Sequence, residues 1–191
     1  MLIILAMCVV GRAQDTRSEV SVQGAGFFTK SSDGKGIYDS PTQTGGILIG
    51  YRYKLYRWLS VEGNYGYARN TQEYSGATWA QVQANVHQVT GAGVMSLPSF
   101  ANLRPFALGG GGALVFDPTG NPGGTYAGAS RQARGALLYG GGADYPLTSR
   151  LAIRAEYRGF VYKTPTFNLA HLNTNSWTHT AQPSAGIVIK F

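Results

Sequence analysis

Four charged residues at alternate positions of two segments have the clearest chemistry in this sequence: Glu62, Arg154, Glu156 and Arg158. Successive side chains of a β-strand point to opposite faces, so Arg154, Glu156 and Arg158 would share one face. Charges that are buried on such a face must pair, because removing them from water is costly. We therefore predict an ion-pair network, which either gates a passage or holds a polar interior together. The structural role is favoured, since ion-pair networks of this kind are common.

The three histidines, His87, His171 and His179, are the other candidates for chemistry. His179 lies close to Ser176, and a lipid hydrolase could use such residues as base and nucleophile, provided that an acid orients the base. No acidic residue lies between positions 157 and 191, so we do not expect an enzyme. A zinc site requires ligands at a defined spacing, which three dispersed histidines do not supply. We expect neither a metal nor a cofactor.

Two glycine runs, at residues 109–112 and 140–142, resemble phosphate-binding loops. Such a loop needs a helix start and a following Lys-Ser or Lys-Thr pair, and neither run has them. The alternative is two adjacent glycine-rich strands that leave room for bulky interior side chains or curve the wall sharply. Their adjacency could also leave an opening, to the interior or sideways. If packing is the reason for the glycines, we expect substitution of Gly110 and Gly141 by valine to disturb assembly.

The composition limits the architecture that must position these residues. The chain has 191 residues, which suits one domain, and its charged fraction of 13% is about half the usual quarter for soluble domains. No apolar run reaches the roughly 18 residues of a spanning helix, but strands with alternating apolar residues would escape this test. The net charge is +7 with lysines and arginines scattered singly, so anionic lipid head groups fit better than nucleic acid as partners.

The N-terminal segment has the pattern of a signal peptide. Residues 2–10 form an apolar run, and Gly11-Arg12-Ala13 supplies small residues at the two positions that specify cleavage. We therefore expect a signal peptide at residues 1–13 and one folded domain at residues 14–191. No positive charge precedes the run, so the start of the chain could lie further upstream. Cys8 is the only cysteine and lies in this segment, which leaves the mature domain without disulfides or cysteine chemistry.

Eight segments alternate apolar and polar residues with the period of a β-strand: residues 18–29, 45–54, 58–68, 79–97, 103–116, 132–145, 150–162 and 182–191. In the third, seventh and eighth, the apolar face holds no charge, and the charges lie on the opposite face: Glu62, Arg154, Glu156, Arg158 and Lys190. A soluble barrel keeps its charges outside. The inverted pattern indicates an outer surface in lipid. We predict an all-β fold, an eight-stranded antiparallel up-and-down transmembrane β-barrel.

The connectors between these segments alternate in length. Those after the second, fourth and sixth segments are short, at residues 55–57, 98–102 and 146–149. The other four are longer and polar, at residues 30–44, 69–78, 117–131 and 163–178. Short turns at one end and long loops at the other are typical of bacterial outer membrane barrels, whose termini lie on the periplasmic side. The pattern predicts location in the bacterial outer membrane, with four extracellular loops.

Aromatic residues cluster near the ends of the predicted strands. Near the short turns we place Tyr51, Tyr53, Phe106, Tyr145 and Phe191. Near the long loops we place Phe28, Tyr67, Trp79, Phe116 and Tyr162. Aromatic side chains favour strands in general, but their position at strand ends predicts two girdles at the membrane interfaces.

Two stretches resemble the eight-stranded membrane domain of the outer membrane protein A family. The first is G-Y-R-Y at 50–53 with L-S-V-E-G-N-Y at 59–65, and the second is G-G-A-D-Y-P-L-T at 141–148 with I-R-A-E-Y at 153–157. In that family, carboxylates and basic groups form a salt-bridge network in the lumen. The resemblance assigns those roles to Glu62, Asp144, Arg154 and Glu156. The family's lumen lysine on the fourth strand has no counterpart, because residues 90–92 read T-G-A, so the partners of Glu62 stay open.

The terminal segment resembles the recognition signal of bacterial outer membrane proteins. It ends on the aromatic Phe191, with Ile189 two residues before it, Gly186 five before it and the polar Ser184 seven before it. The resemblance implies that the barrel assembly machinery reads these residues. We predict that deletion of Phe191 impairs insertion more than it impairs any binding function.

The predicted function is structural or one of surface contact: a monomeric barrel that anchors four loops and contributes to envelope integrity or binds an extracellular ligand. Candidate contact residues in the loops are Trp177, Phe167 and Tyr74. The alternatives are a narrow pore or conduit for hydrophobic ligands and, with less support, a lipid-modifying enzyme. The expected partners are outer membrane lipid and lipopolysaccharide, the barrel assembly machinery and periplasmic chaperones.

Overall fold

Almost every described residue of this chain belongs to a β-strand or a short turn. The computed structural model describes residues 17–34, 37–75, 80–119, 130–167 and 176–191, so the predicted signal peptide lies outside these ranges. The strands are β1 (Ser18–Thr29), β2 (Ser32–Gly34), β3 (Ile37–Pro41), β4 (Thr44–Lys54), β5 (Leu59–Ser75), β6 (Ala80–Ser96), β7 (Arg104–Pro118), β8 (Gln132–Pro146), β9 (Leu151–Lys163) and β10 (Trp177–Lys190). Within the described ranges, no helix is long and apolar enough to cross a membrane.

Eight long strands form a closed antiparallel barrel. β1 pairs with β4 and β10, β4 pairs with β5, and each strand from β5 onward pairs with the next one in sequence. The prediction of an eight-stranded up-and-down barrel is therefore confirmed. The remaining strands, β2 and β3, form a short hairpin that continues the sheet beside β5.

The wall extends further toward the long connections than the alternation predicts. β5 runs to Ser75 and takes in most of the predicted loop 69–78, because its outer end pairs with both β3 and β6. β10 begins at Trp177, opposite Lys163 of β9, and not at residue 182. Polar residues at a strand end have the composition of a loop, yet hydrogen bonds from a neighbouring strand keep them extended.

The two ends of the barrel differ in their connections. Turns at residues 55–58, 97–103 and 147–150 join strands at one end, called the turn end below. The opposite end, called the loop end, receives the other connections. The terminal strands meet at the turn end, where Ser18 and Phe191 exchange backbone hydrogen bonds of 3.2 and 2.9 Å.

Exposure alternates along the strands in the sense expected for a barrel in lipid. Ile187 and Ile189 are 57% and 50% exposed, whereas Val188 between them is fully buried. In β9 the apolar Ile153 is exposed and the charged Arg154 is buried. A water-soluble protein places such groups the other way round, so the outer surface fits hydrocarbon.

Strand β6 shows that an apolar face can also point inward. Val82, Val86 and Val94 are buried, and the alternate residues, which include Asn85 and His87, face outward. The interior of this barrel is partly apolar, and period-two alternation alone therefore does not identify the lipid side of a strand.

Two phenylalanines of the predicted girdles lie in the interior, which contradicts their assignment. Phe106 and Phe116 are 4% and 2% exposed. Both occupy inner positions of β7, whose outer positions from 107 to 113 hold only alanine and glycine. With no bulky side chain outside, the large residues of this strand fill the barrel.

Tyr162 also lies inside and not in a girdle. It shares the phase of Arg154 and Arg158 on β9, and the alternation that buries those charges buries Tyr162 as well. The predicted girdle residues that do face outward are Tyr51, Tyr53, Tyr145, Phe191, Phe28 and Tyr67. Trp79 lies outside the described residues.

The glycine-rich strands β7 and β8 pair continuously from Arg104, opposite Asp144, to Phe116, opposite Gln132, which leaves no opening between them over these described residues. A Cβ atom added at Gly140 would lie 2.1 Å from the backbone oxygen of Tyr157. One added at Gly142 would lie 2.6 Å from the Cβ atom of Glu156. The inward-facing glycines of β8 therefore make room for the close approach of β9. The hypothesis of a lateral opening between β7 and β8 is wrong, because the two strands stay paired.

Candidate functional site

Seven charged side chains form a buried cluster in the half of the interior next to the turn end. This charge cluster comprises Glu19 of β1, Arg52 of β4, Glu62 of β5, Asp144 of β8, and Arg154, Glu156 and Arg158 of β9. Strand alternation brings each of these residues to the inner face. The structure thus brings together all five residues that the sequence places in the network.

Glu62 lies at the centre of the charge cluster. Its Oε2 atom accepts a hydrogen bond of 2.6 Å from Arg52 Nε, and its Oε1 atom accepts one of 2.6 Å from Arg158 Nη2. Asn64 Nδ2 donates a third at 3.0 Å, and Arg154 Nη1 lies 3.5 Å from Oε2. Two arginines therefore bond directly to this carboxylate and a third lies beside it. These arginines are the partners of Glu62, which the sequence left open because the lumen lysine of the related family has no counterpart here.

Arg154 links Glu62 to the carboxylates nearer the turn end. It donates two hydrogen bonds to Asp144, of 2.7 and 2.8 Å, in the bidentate geometry that is strongest for an arginine and a carboxylate. Its Nη2 atom also lies 3.4 Å from Glu19. The guanidinium groups of Arg52 and Arg154 lie 4.3 and 5.1 Å from the ring centroid of Phe106, which supports them by cation–π contact.

Arg158 closes the cluster toward the middle of the barrel. Its Nε atom donates to Glu156 Oε1, and Gln23 Nε2 donates to the same oxygen at 3.3 Å. Arg158 is fully buried and Glu156 is nearly so. A charged side chain in this position is stable only with such partners, because attraction and hydrogen bonds must offset the large cost of removing the charge from water.

Glu19 and Arg52 belong to the cluster but were not predicted as members. A sequence signal for both exists in the alternation: Glu19 precedes the apolar Val20, and Arg52 lies between the outward Tyr51 and Tyr53. Their partners could not be read from the sequence, because Glu19 and Arg154 are 135 residues apart.

The half of the interior next to the loop end is mainly apolar. Phe116 packs against Tyr162 and Phe167, with ring centroids 6.0 and 6.3 Å apart. Buried polar groups here are tied to one another: Tyr162 and Thr180 share a hydrogen bond of 2.9 Å, and Thr180 and Thr29 share one of 2.8 Å. A cavity of about 10 Å³ lies among these side chains, which is about the space of one water molecule.

Phe167 covers this apolar half from the connection between β9 and β10. It is fully buried, although the sequence placed it among exposed loop contacts. Gln132 Oε1 accepts hydrogen bonds from the backbone N–H groups of Thr166 and Phe167, at 2.7 and 3.0 Å. Phe167 adopts a left-handed backbone conformation with φ of 51°. Gln132 thus fixes the described start of this connection, and the Phe167 ring covers the apolar half of the interior.

Of the other predicted loop contacts, Trp177 is 61% exposed and lies beside Lys163, whose Nζ atom is 5.8 Å from the Trp177 ring centroid. The side chain of Tyr74 lies outside the described residues. Trp177 therefore remains a candidate for surface contact.

The two described histidines, His87 and His179, lie on the outer face. His87 Nδ1 is 2.8 Å from the Tyr65 hydroxyl, and His179 Nε2 is 2.9 Å from the Tyr139 hydroxyl. The Nε2 atom of His179 is therefore hydrogen-bonded to a tyrosine hydroxyl. His171 lies outside the described residues. In the part of the chain that the structure describes, no group of three histidine or acidic residues could hold a metal ion.

The predicted assembly signal occupies both faces of β10. Ile189 and Phe191 are 50% and 45% exposed on the outside. Ser184 is buried and donates a hydrogen bond of 3.1 Å to Gln23 Oε1. A Cβ atom added at Gly186 would lie 2.0 Å from the backbone oxygen of Val22, so this glycine has a packing role of its own. Recognition of these residues during assembly stays a prediction.

Comparisons with known proteins agree with this architecture. The family model described as "Outer membrane protein beta-barrel domain" matches residues 1–188. Among solved structures, OprG from Pseudomonas aeruginosa is similar with a TM-score of 0.62 and 12% identity, over 92% of this chain and 96% of that one. Neisserial surface protein A gives 0.58 and 17%, over 91% and 97%.

A third similar structure is Ail of Yersinia pestis in complex with the heparin analogue sucrose octasulfate. Its TM-score is 0.53 at 16% identity, over 92% of this chain and 99% of that one. A comparison with curated proteins finds no match. At these identities, the solved structures show the fold alone.

Proposed function

The chain belongs to the outer membrane protein β-barrel domain family and lies in the bacterial outer membrane, and from this premise we propose that it is a non-conducting anchor that presents its loops at the cell surface. In this role it contributes to envelope integrity and contacts partners outside the cell. The surrounding lipid and lipopolysaccharide, the barrel assembly machinery and periplasmic chaperones are the partners that such a role requires.

The filled interior is the observation that supports a non-conducting barrel. The charge cluster spans the turn half, with Arg154, Arg158 and Glu62 almost inaccessible. Phe116 and Phe167 fill the loop half. An eight-stranded barrel has an interior just wide enough for side chains. An ion would have to displace paired charges and then cross an apolar layer, and both steps are costly.

Single-channel recording of the purified protein in planar bilayers tests this proposal against the alternative of a narrow pore. We expect no stable conductance steps, or only rare and small openings. The Glu62→Ala variant should open more often, because three arginines lose their common partner. Glu73→Ala, at an exposed position of the loop end, is the matched control. Large, stable steps in the wild-type protein that change with Glu62→Ala would support the pore.

For surface contact, the loop-end rim favours a polyanionic partner. The exposed cations there are Lys30, Arg69, Arg131 and Lys163. Among the described side chains of this rim, the carboxylates are the exposed Glu73 and the partly buried Asp117. Ail, a structural neighbour, was solved with a heparin analogue, which makes heparin a suitable probe for this chain.

Binding of labelled heparin to intact cells tests the rim. We expect cells that make the wild-type protein to bind more heparin than cells that make a variant with Lys30, Arg69, Arg131 and Lys163 all replaced by glutamine. The control is Arg57→Gln with Arg150→Gln, two exposed cations at the turn end, which cells do not display outside. Equal binding by both variants would reject the rim as the contact surface. Added salt should weaken binding, since exposed charges are screened.

A further inference from the structure

An open vestibule lies at the turn end of the barrel, below the charge cluster. Its volume is about 240 Å³, far larger than the cavity in the apolar half. Five cationic side chains line it: Arg52, Lys54, Arg57, Arg104 and Lys190. The lining also holds two carboxylates, Glu19 and Asp144, so the vestibule has an excess of three positive charges.

The two carboxylates of the vestibule are directed toward arginines of the charge cluster. Asp144 accepts both of its short hydrogen bonds from Arg154. Glu19 lies 3.4 Å from Arg154 Nη2 and 3.6 Å from Arg52 Nε. Both carboxylates are therefore shared with arginines of the charge cluster, while the lining as a whole keeps its excess of positive charge.

Lys190 shows this imbalance most clearly. It is opposite Glu19 in the β1–β10 register and only 6% exposed. Among the residues that the structure describes, its ammonium group takes part in no direct ion pair. Glu19 and Asp144 act on it only at longer range, against the like charges of Arg104 and Lys54, and a buried ammonium without a direct partner is unfavourable. An anion in the vestibule would supply that direct partner.

We propose that this vestibule is a binding site for a phosphate group. The excess positive charge suits a dianion better than a monoanion. Lys190 and Arg104 would provide charge-assisted hydrogen bonds, which are the stronger kind. The hydroxyl groups of Ser60, Ser96 and Ser99 line the same space and can donate to the remaining phosphate oxygens. The volume exceeds the roughly 30 Å³ share of one water molecule several-fold, so the group can carry a small organic substituent.

The phosphate can come from a soluble phosphate compound of the periplasm or from a lipid head group of the inner leaflet. In outer membrane barrels the short turns face the periplasm, and both sources are present there. The same residues would recognise either one, because the recognised chemistry is the phosphate itself.

NMR titration of the full protein in maltoside micelles, which contain no phosphate, tests the site. In low-salt, phosphate-free buffer, sodium phosphate should produce saturable shifts of the backbone amides of Ser96, Ser99 and Lys190. Sodium chloride at matched ionic strength should not. Lys190→Gln and Arg104→Gln should each raise the dissociation constant about tenfold, as expected for the loss of one charge-assisted contact. Arg150→Gln, an exposed cation in a neighbouring turn outside the vestibule, should leave it unchanged.

The outcomes separate the site from simple charge screening and separate its two sources. If phosphate gives no saturable shifts, or chloride gives the same ones, the proposal is wrong. Arg104 is exposed, so its variant should fold even if Lys190→Gln does not, and an unchanged affinity in Arg104→Gln would also count against the site. In phospholipid nanodiscs, an unaltered phosphate titration identifies a soluble ligand. Vestibule amides that are already shifted and no longer respond identify a lipid head group.

Discussion

The turn half and the loop half of the barrel interior are built by the same strands in different ways. β9 contributes Arg154 and Arg158 to the turn half, and Phe160 and Tyr162 to the loop half. All four point inward at alternate positions, so the chain changes from charged to apolar within one strand. In the turn half, stability depends on each charge having a partner. In the loop half, it depends on apolar volume being filled.

This difference predicts unequal responses to substitution. A variant in the turn half leaves charges without partners, and a variant in the loop half leaves a void or an unpaired hydroxyl. The following four variants test the distinction, from the largest expected effect to the smallest.

Gly140→Val should prevent assembly of the barrel. The new side chain would start 2.1 Å from the backbone oxygen of Tyr157, opposite Arg158, and the strand pair that carries the charge cluster could not form. Heat-modifiable gel mobility of the membrane fraction measures assembly. Gly135→Val on the same strand is the control, because nothing lies within 4 Å of its added Cβ atom. Normal assembly of Gly140→Val would contradict this, and would show that the backbones of β8 and β9 can separate enough to accommodate the side chain.

Glu62→Ala should lower the free energy of unfolding by about 3–5 kcal/mol, because it leaves buried charges without a partner. Urea unfolding in detergent micelles gives this value. Glu73→Ala at the exposed rim should cost less than about 1 kcal/mol. Similar losses for both carboxylates would mean that the charge cluster is solvated, and the contrast between the two halves would disappear.

Phe167→Ala should cost about 3 kcal/mol, since it removes a buried ring and leaves a cavity beside Phe116. The same urea titration applies. Trp177→Ala, which removes a larger but exposed ring at the start of β10, should cost far less. If Phe167→Ala has no effect on stability, the loop half does not depend on this cover.

Tyr162→Phe should cost only about 1 kcal/mol, the usual value of one hydrogen bond. Thr180 would keep its bond to Thr29, so no buried hydroxyl is left wholly unpaired. The exposed Tyr145→Phe should be neutral by the same measurement. A loss as large as that of Glu62→Ala would mean that the loop half also depends on a polar network.

Much of the barrel was predictable because its rules are local. Alternation in β9 and β10 identified the inner position of Arg154, Glu156, Arg158 and Lys190, and connector lengths identified the two ends. The outward faces of β6 and β7 were not predictable in this way. Val86 and Phe116 are apolar and alternate, and such a residue can face lipid or an apolar interior at similar free energy.

Contacts between distant segments were beyond the sequence for a different reason. Glu19 and Arg52 carry the correct phase, but which arginine or carboxylate they meet depends on the stagger of strands around the closed barrel. Phe167 carries no periodic signal at all. Its burial follows from the hydrogen bonds of its backbone to Gln132, on a strand that lies 35 residues earlier.

The sequence by itself determined the eight strands of the barrel wall, their order and the burial of the charges, because each follows from period-two alternation and from the lengths of short turns. Only the tertiary structure decided what the interior contains. Closure brings β1, β4, β5, β8 and β9 around one charge cluster, seats Phe167 over the apolar half, and leaves Lys190 facing an open vestibule. These outcomes depend on distances across the barrel, which no local pattern encodes.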